Sequence, residues 1–153
     1  MSERPKVDRS YIRVKALAVV YNESRTHHAV LRGYDSVKDQ HFNRSLGGSV
    51  ELGEKAEDAV VREIAEELGG TYVDTRLLGV LENIFTFEGE PGHEVAFVYE
   101  GRLAEGDVVP AGGGEYSDNG VPMWVEWRPV DDERIDVPLY PDGVAGLIRQ
   151  VRR

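Results

Sequence analysis

The chain has 153 residues, no cysteine, and 28 acidic against 18 basic side chains, which gives a formal net charge of −10 at pH 7. We expect a single domain over residues 1–153 with its core over about residues 10–152. The composition excludes disulfides, thiol nucleophiles and cysteine metal sites, and its acidity disfavours nonspecific binding to nucleic acid. No apolar run approaches the roughly 18 residues of a membrane span, and the N-terminus lacks the apolar stretch of a signal peptide, so we expect a cytoplasmic protein.

Two strands are predicted at the start of the chain. Residues 11–21 first alternate between polar and apolar side chains and then become continuously apolar, which is typical of a strand that enters a core. A turn over residues 22–26 leads to a short partner strand over residues 28–33.

The segment from Gly48 to Gly70 predicts a helix bounded by glycine-rich loops. The helix is expected over about residues 55–69, and Gly69 and Gly70 follow it where helix C-caps are common. One side of this helix can dock on a core through an apolar stripe of Val60, Val61, Ile64 and Leu68.

Three acidic side chains of this helix, Glu63, Glu66 and Glu67, fall within roughly one quarter to one third of its circumference. Like charges at this spacing destabilise a helix, and an ion pair from Arg62 to Glu66 accounts for only one of them. A solvated charged face explains the other acids of the helix, but for these three we favour a bound cation. Oxygen ligands on one wall suit Mg²⁺ or Mn²⁺ rather than zinc.

Further strands and a second helix are predicted after this segment. A long strand over 76–87, a turn over 89–92 and a returning strand over 93–103 precede residues 104–120, which contain five glycines and predict a flexible loop. Met123–Trp127 predicts another strand. A last helix is expected to begin near Asp142, with an apolar stripe of Val144, Leu147, Ile148 and Val151. This order of strands and helices predicts an α+β fold.

The segment from Gly48 to Gly70 resembles the signature of the Nudix hydrolases. That signature is a Gly, five residues, a Glu, seven residues, and then Arg-Glu-apolar-any-Glu-Glu-any-Gly-apolar. Eight positions match in register: Gly48, Glu54, Arg62, Glu63, Ile64, Glu66, Glu67 and Gly69. Gly70 departs from it, because the family usually has an aliphatic residue there. The resemblance implies the Nudix fold, a curved mixed β-sheet sandwiched between helices (α/β/α).

The resemblance also implies an activity. Nudix pyrophosphohydrolases cleave a diphosphate bond in a nucleoside diphosphate linked to another moiety, by metal-assisted attack of water on phosphorus. The implied metal ligands are Glu63, Glu66, Glu67 and the backbone carbonyl of Gly48, with Mg²⁺ or Mn²⁺ as the cofactor. We expect Glu66 and Glu67 to be the principal ligands, Glu63 to share a metal or accept the proton from water, and Arg62 to orient the carboxylates.

Several residues outside the helix are candidates for substrate contact. Arg44 precedes the segment and suits a phosphate, although surface arginines are common. Glu94 and Glu115 are candidates for the further acid that several Nudix enzymes use as a general base or extra ligand; for Glu115 a solvated loop acid is the simpler interpretation. Glu54 at the start of the helix is expected to be structural.

The sequence leaves the substrate open. The downstream proline of ADP-ribose hydrolases, the Ser-Gln-Pro-Trp-Pro pattern of NADH hydrolases and the extended coenzyme A motif are absent. Nucleoside triphosphates, nucleotide sugars and other small diphosphates remain, with no nucleic acid or membrane as partner. An alternative is a catalytically weak Nudix-fold sensor that binds a nucleotide ligand. A homodimer is possible by analogy with other Nudix enzymes.

Overall fold

The computed structural model describes residues 8–132, 134 and 136–151, and within them it contains eight strands and two helices. The predicted α+β class is confirmed. Neither helix of this described part is long and apolar enough to cross a membrane. In chain order, the elements are β1 Arg13–Tyr21, β2 His27–Asp35, β3 Gln40–Ser49, α1 Ala56–Leu68, β4 Tyr72–Phe87, β5 Glu90–Leu103, β6 Gly114–Asp118, β7 Val121–Pro129, β8 Leu139–Tyr140 and α2 Val144–Val151.

The strands form one mixed sheet in the order β4-β5-β1-β3-β2-β7-β6, with β8 beside β3. The β1–β5 and β3–β8 pairs are parallel, and the other pairs are antiparallel. Strand β3 pairs with β2 through residues 40–45 and with β1 through residues 46–49. Because β1 and β2 are themselves antiparallel, β3 can run antiparallel to both only by bending where it changes partner. This bend divides the curved sheet into two halves.

Strand β1 supplies both layers of the core, because its side chains alternate between the two faces of the sheet. Ala16, Ala18 and Val20 pack in the cluster that contains the apolar side of α1. Leu17, Val19 and Tyr21 pack in the cluster that contains Val144 and Ile148 of α2. The predicted α/β/α sandwich is therefore confirmed.

The predicted loop over residues 104–120 is wrong at its second half, where β6 pairs with β7. Asp118 pairs with Val121, so Asn119 and Gly120 form a two-residue hairpin turn, and both have positive φ. An Asn-Gly pair is a strong hairpin signal that the glycine content of the segment obscured.

The turn predicted over 89–92 is also wrong, because Glu88 and Gly89 make the turn and β5 already begins at Glu90.

Strand β3 was not predicted from the sequence. Its polar residues do not alternate cleanly with apolar ones, and Phe42 and Leu46 are its only large apolar residues. Pairing with β2, β1 and β8 defines this strand, and such long-range partners leave little signal in a local pattern. Helix α2 begins at Val144, two residues after the Asp142 start that the sequence suggested.

Gly47 lies at the bend of β3, and we expect Gly47→Ala to lower the free energy of unfolding by about 2 kcal/mol or more. Its φ is +132°, and a methyl group on it would collide with the backbone carbonyl of Ala16. Chemical denaturation measures the change. Gly112→Ala is the matched control, because no atom lies near its added methyl group; equal stability of the two variants would contradict the prediction.

Candidate active site

Helix α1 presents its acidic side chains in a fixed register because both of its ends are defined locally. Glu57 and Asp58 occupy the first turn, where negative charge opposes the positive end of the helix dipole. At the other end Gly69 adopts a left-handed conformation and donates its N–H to the carbonyl of Ala65 at 2.9 Å. This register turns Glu63 and Glu67 toward β3.

Glu67 is a buried carboxylate at the bend of β3. Only 5% of the residue is exposed, and its Oε1 accepts a hydrogen bond of 3.0 Å from the Gly47 N–H. Burial, together with the negative charge of Glu63, raises the pKa of Glu67 to about 8, against the opposing effects of Arg44 and the Gly47 N–H. The charged form of Glu67 is therefore poorly stabilised by the protein groups around it.

Glu63 lies directly against Gly48. A side chain at position 48 would collide with the Glu63 carboxyl group where it now lies, so the glycine leaves room for this carboxyl group beside β3. Only 14% of the Glu63 side chain is exposed, and its burial raises its pKa. Glu66 is different, because 57% of its side chain is exposed. The structure thus brings Gly48, Glu63 and Glu67 together and leaves Glu66 at the open side.

Arg62 connects the start of the segment from Gly48 to Gly70 (the box) to the acidic helix. Its guanidinium donates to both carboxylate oxygens of Glu54, from Nε at 2.8 Å and from Nη2 at 2.9 Å. Nη1 donates to Glu63 at 3.0 Å and more weakly to Glu66 at 3.4 Å, and Nη2 also donates to the Ser49 carbonyl at 3.1 Å. The Arg62 ion pair lowers the pKa of Glu54 to about 2. Arg62 therefore holds loop, helix and strand β3 in one arrangement.

Two further charged residues lie near the carboxyl groups of Glu63 and Glu67. Asp118, at the end of β6, raises the pKa of both Glu63 and Glu67, whereas Arg44 lowers that of Glu67. Sequence reasoning missed Asp118, because the hairpin that carries it was taken for a loop. The Asn-Gly turn that follows it was the available signal.

Lys15 was also missed. It pairs with Ser49 across β1 and β3, and its Nζ donates to the Ser49 hydroxyl at 3.1 Å. Burial lowers the pKa of Lys15, and the negative charges of Glu94 and Glu63 oppose that shift. An amine therefore lies beside the strand that carries Gly48.

The two acids predicted outside the helix, Glu94 and Glu115, lie in different parts of the structure. Glu94 accepts a hydrogen bond of 2.8 Å from Arg13 and a long one of 3.4 Å from Asn83. Its negative charge raises the pKa of Lys15. Glu115 is exposed and pairs with Trp124 on the opposite face of the β6–β7 hairpin from Asp118. The structure does not bring Glu115 to the carboxylates of α1.

The donor chemistry fits a hard divalent cation. Glu67 is buried and Glu63 is partly buried, burial disfavours the ionisation of both, and a cation between them would supply the missing positive charge. In the part of the chain that the structure describes, no three acidic or histidine side chains already converge as a metal-binding group. Further ligand groups would have to move toward a bound ion to complete its coordination.

The fold and the box can be compared with known proteins. A model of the NUDIX domain matches residues 12–146. The chain belongs to the Nudix family. The resemblance drawn from the box is thereby confirmed, as is the prediction of an enzyme of the Nudix hydrolase class. No curated protein matches the sequence of this Nudix chain.

Solved structures share the fold of this Nudix protein. A MutT NUDIX hydrolase from Burkholderia pseudomallei has a TM-score of 0.62 at 23% identity, with 93% of this chain and 99% of the other covered. A NUDIX hydrolase from Nitrosomonas europaea has a TM-score of 0.63 at 17% identity, with 93% and 89% covered. An ADP-ribose pyrophosphatase from Streptococcus suis has a TM-score of 0.56 at 18% identity, with 94% and 93% covered. At these identities the likeness extends to the fold alone.

The raised pKa of Glu67 predicts a stability that falls with pH in the absence of metal. Between pH 4.5, the ordinary pKa, and about 8, the unfolded chain has lost the Glu67 proton while the folded chain retains it. The free energy of unfolding in EDTA should therefore fall as pH rises through this window. Glu67→Gln should remove the part of this decrease in the free energy of unfolding that comes from Glu67. Addition of Mn²⁺ should raise the wild-type melting temperature more at pH 8 than at pH 5.

Thermal denaturation of both proteins across this pH range measures the effect. Other groups titrate in the same window, so the decisive quantity is the difference between wild type and Glu67→Gln. If the difference in stability between wild type and Glu67→Gln did not change with pH, that result would contradict a protonated Glu67 carboxyl group in the folded protein.

Proposed function

We propose that this Nudix hydrolase is a pyrophosphohydrolase dependent on Mg²⁺ or Mn²⁺. It cleaves a diphosphate bond in a nucleoside diphosphate linked to another moiety, such as a nucleoside triphosphate or a nucleotide sugar, by attack of water on phosphorus. The observation that carries the proposal is the pair of a partly buried and a buried carboxylate, Glu63 and Glu67, held against Gly48 and Gly47 of β3. Placing two carboxylates with raised pKa values side by side costs free energy unless a cation binds between them.

Each group of the box has a proposed role. Glu66 and Glu67 are the principal metal ligands, and the backbone carbonyl of Gly48 adds an oxygen. Glu63 shares a metal or accepts the proton of the attacking water; its raised pKa makes its carboxylate a better proton acceptor than an ordinary glutamate. The bound cation supplies charge neutralisation on the phosphate oxygens and a lowered pKa of water.

Arg62 acts as a positioning residue in this proposal. Its donors are shared among Glu54, Glu63, Glu66 and the Ser49 carbonyl. A guanidinium saturated by these acceptors fixes the carboxylates in orientation and does not reach substrate. Its rigid fork matches the carboxylate of Glu54 in a way that lysine cannot reproduce.

Substrate contacts are proposed for Arg44 and Glu94. Arg44 is exposed on β3 and acts electrostatically on Glu67, so a phosphate beside the metal is within its influence. A chain of net charge −10 needs such local cations to accept an anionic substrate. Glu115 is left out of this proposal because it lies on the opposite face of its hairpin from Asp118.

The names of similar structures agree with this class of reaction. One is a MutT NUDIX hydrolase and another an ADP-ribose pyrophosphatase. The cytoplasmic location, the single domain and the homodimer remain predictions.

Glu67→Gln should lower the turnover rate by several orders of magnitude, because it removes a ligand charge while keeping the shape of the side chain. The measurement is a hydrolysis screen against nucleoside triphosphates, oxidised nucleotides, nucleotide sugars, dinucleotides and ADP-ribose, with Mg²⁺ and Mn²⁺. EDTA should abolish the activity, and ¹⁸O water identifies the phosphorus that is attacked.

The matched control is Glu57→Gln, an exposed position of the same helix, which should keep the wild-type rate. Near wild-type turnover by Glu67→Gln would overturn the metal-site assignment. Metal binding without hydrolysis of any compound in the screen would favour the alternative of a nucleotide-ligand sensor.

Arg62→Lys should raise the concentration of Mg²⁺ needed for half-maximal rate by about 10- to 100-fold, as expected when a group that orients metal ligands is replaced. Saturating Mn²⁺ should restore much of the rate, because the ligands themselves remain. A fall in rate that metal does not rescue would instead indicate that Arg62 contacts the substrate.

A further inference from the structure

Helix α1 covers only part of the sheet on its side. The buried residues of α1 pack with Ala16, Ala18 and Val20 of β1 and with Tyr99 of β5. Val14 lies two residues before Ala16 and therefore on the same face of β1, but it is not part of the buried cluster under the helix. The sheet thus extends past the helix at the end where β1 begins.

Apolar side chains of three neighbouring strands lie on this uncovered end of the sheet. Val80 of β4 pairs with Phe97 of β5, and Phe97 packs against the cluster under α1, which fixes the face. Val14 of β1 pairs with Val95 of β5, two residues before Phe97. Ile84 follows Val80 on the same face of β4. These five residues, Val14, Val80, Ile84, Val95 and Phe97, form the apolar patch.

The apolar patch is open to solvent. The exposed fraction is 40% for Val14, 48% for Val80 and 74% for Ile84. Ten large apolar residues are exposed in the part of the chain that the structure describes, and four of them lie on this one face: these three and Leu77, which pairs with Tyr99. Single exposed apolar residues are ordinary, whereas a contiguous group marks an interaction surface.

This chain has no further layer to place over the apolar patch. Helix α2 packs on the opposite face of the sheet, against Leu17 and Val19. Residues 1–7, 133, 135 and 152–153 lie outside the described part, and their large apolar side chains are Met1, Val7 and Ile135. Three such side chains, divided between two distant segments, are too few to form a covering layer. We therefore look to a second molecule.

Charge favours another copy of the same chain at this surface. A net charge of −10 makes two copies repel one another over most of their surface. On this face of residues 80–84 of β4 and 93–97 of β5, Glu82 is the only acidic or basic residue, so two copies can approach here with the least repulsion. Two sheet faces pack about 10 Å apart, and a two-fold axis brings the same apolar surface from both copies.

We propose that the apolar patch is the interface of a homodimer in which strands β4, β5 and β1 of two copies pack face to face about a two-fold axis. Association would bury Ile84, Val80 and Val14, and the apolar area removed from water would drive it. The inference does not depend on the metal site or on the proposed reaction.

Sedimentation velocity over a series of protein concentrations tests the proposal. The wild-type protein should have twice the 17.1 kDa mass of one chain. Ile84→Lys should raise the dissociation constant of the dimer by at least about 100-fold, because it places two like charges in an apolar interface. Since Ile84 is largely exposed in one copy, the variant should fold as a monomer, which circular dichroism checks.

Val108→Lys is the matched control. It adds the same charge at an exposed apolar residue of the loop after β5, outside the apolar patch, and should leave the dimer intact. Because the chain has no cysteine, Val80→Cys introduces a single thiol, and a short bismaleimide should link two copies through it but not through Val108→Cys.

A wild-type monomer at about 100 μM would overturn the inference and assign the apolar patch to a partner of another kind. A dimer that Ile84→Lys leaves intact, or one that is linked through Val108→Cys and not through Val80→Cys, would overturn it as well, because the copies would then meet at another surface.

Discussion

The Glu67 carboxylate accepts a hydrogen bond from the Gly47 N–H where helix α1 meets the bend of β3, and the surrounding structure depends on this contact. A helix that docks only through apolar side chains could slide or rotate by a turn. Here a buried acid must meet one backbone donor, so the register of α1 on the sheet is determined. The glycines at 47 and 48 are the counterpart, because a side chain at position 47 would collide with the Ala16 carbonyl of β1 and one at position 48 with the Glu63 carboxyl group.

The distribution of charge follows from that contact. Arg62 is the main cation of the box and is shared by Glu54, Glu63 and Glu66. Glu67 is the acid whose pKa burial raises to about 8, although the charge of Arg44 opposes that rise. The protein thus supplies the positive charge of Arg62 at the outer part of the helix, whereas its buried side keeps a carboxyl group whose ionisation is disfavoured. This asymmetry supports the proposed cation site.

The bend of β3 also brings residues from different parts of the chain to the proposed metal site. It places residues 46–49 beside β1, where Ser49 pairs with Lys15 and Gly48 pairs with Ala16. Residues before the bend pair with β2 and include Arg44. A single strand thus carries both Gly48 of the proposed metal site and Arg44, the proposed phosphate contact. The separation of these two residues is set by strand geometry, which is more rigid than a loop.

The sequence by itself determined the helix of the box, its glycine C-cap, the common face of Glu63, Glu66 and Glu67, and the α+β class, because helical periodicity and capping act within a few residues. It did not reveal β3, the β6 strand with Asp118 or the Arg13–Glu94 pair. Arg13 and Glu94 are 81 positions apart in the chain. Their meeting depends on which strands pair and in which register, and the burial of Glu67 depends on how the helix docks. Only the tertiary structure decides these, because such contacts gain their energy from partners that are distant in sequence.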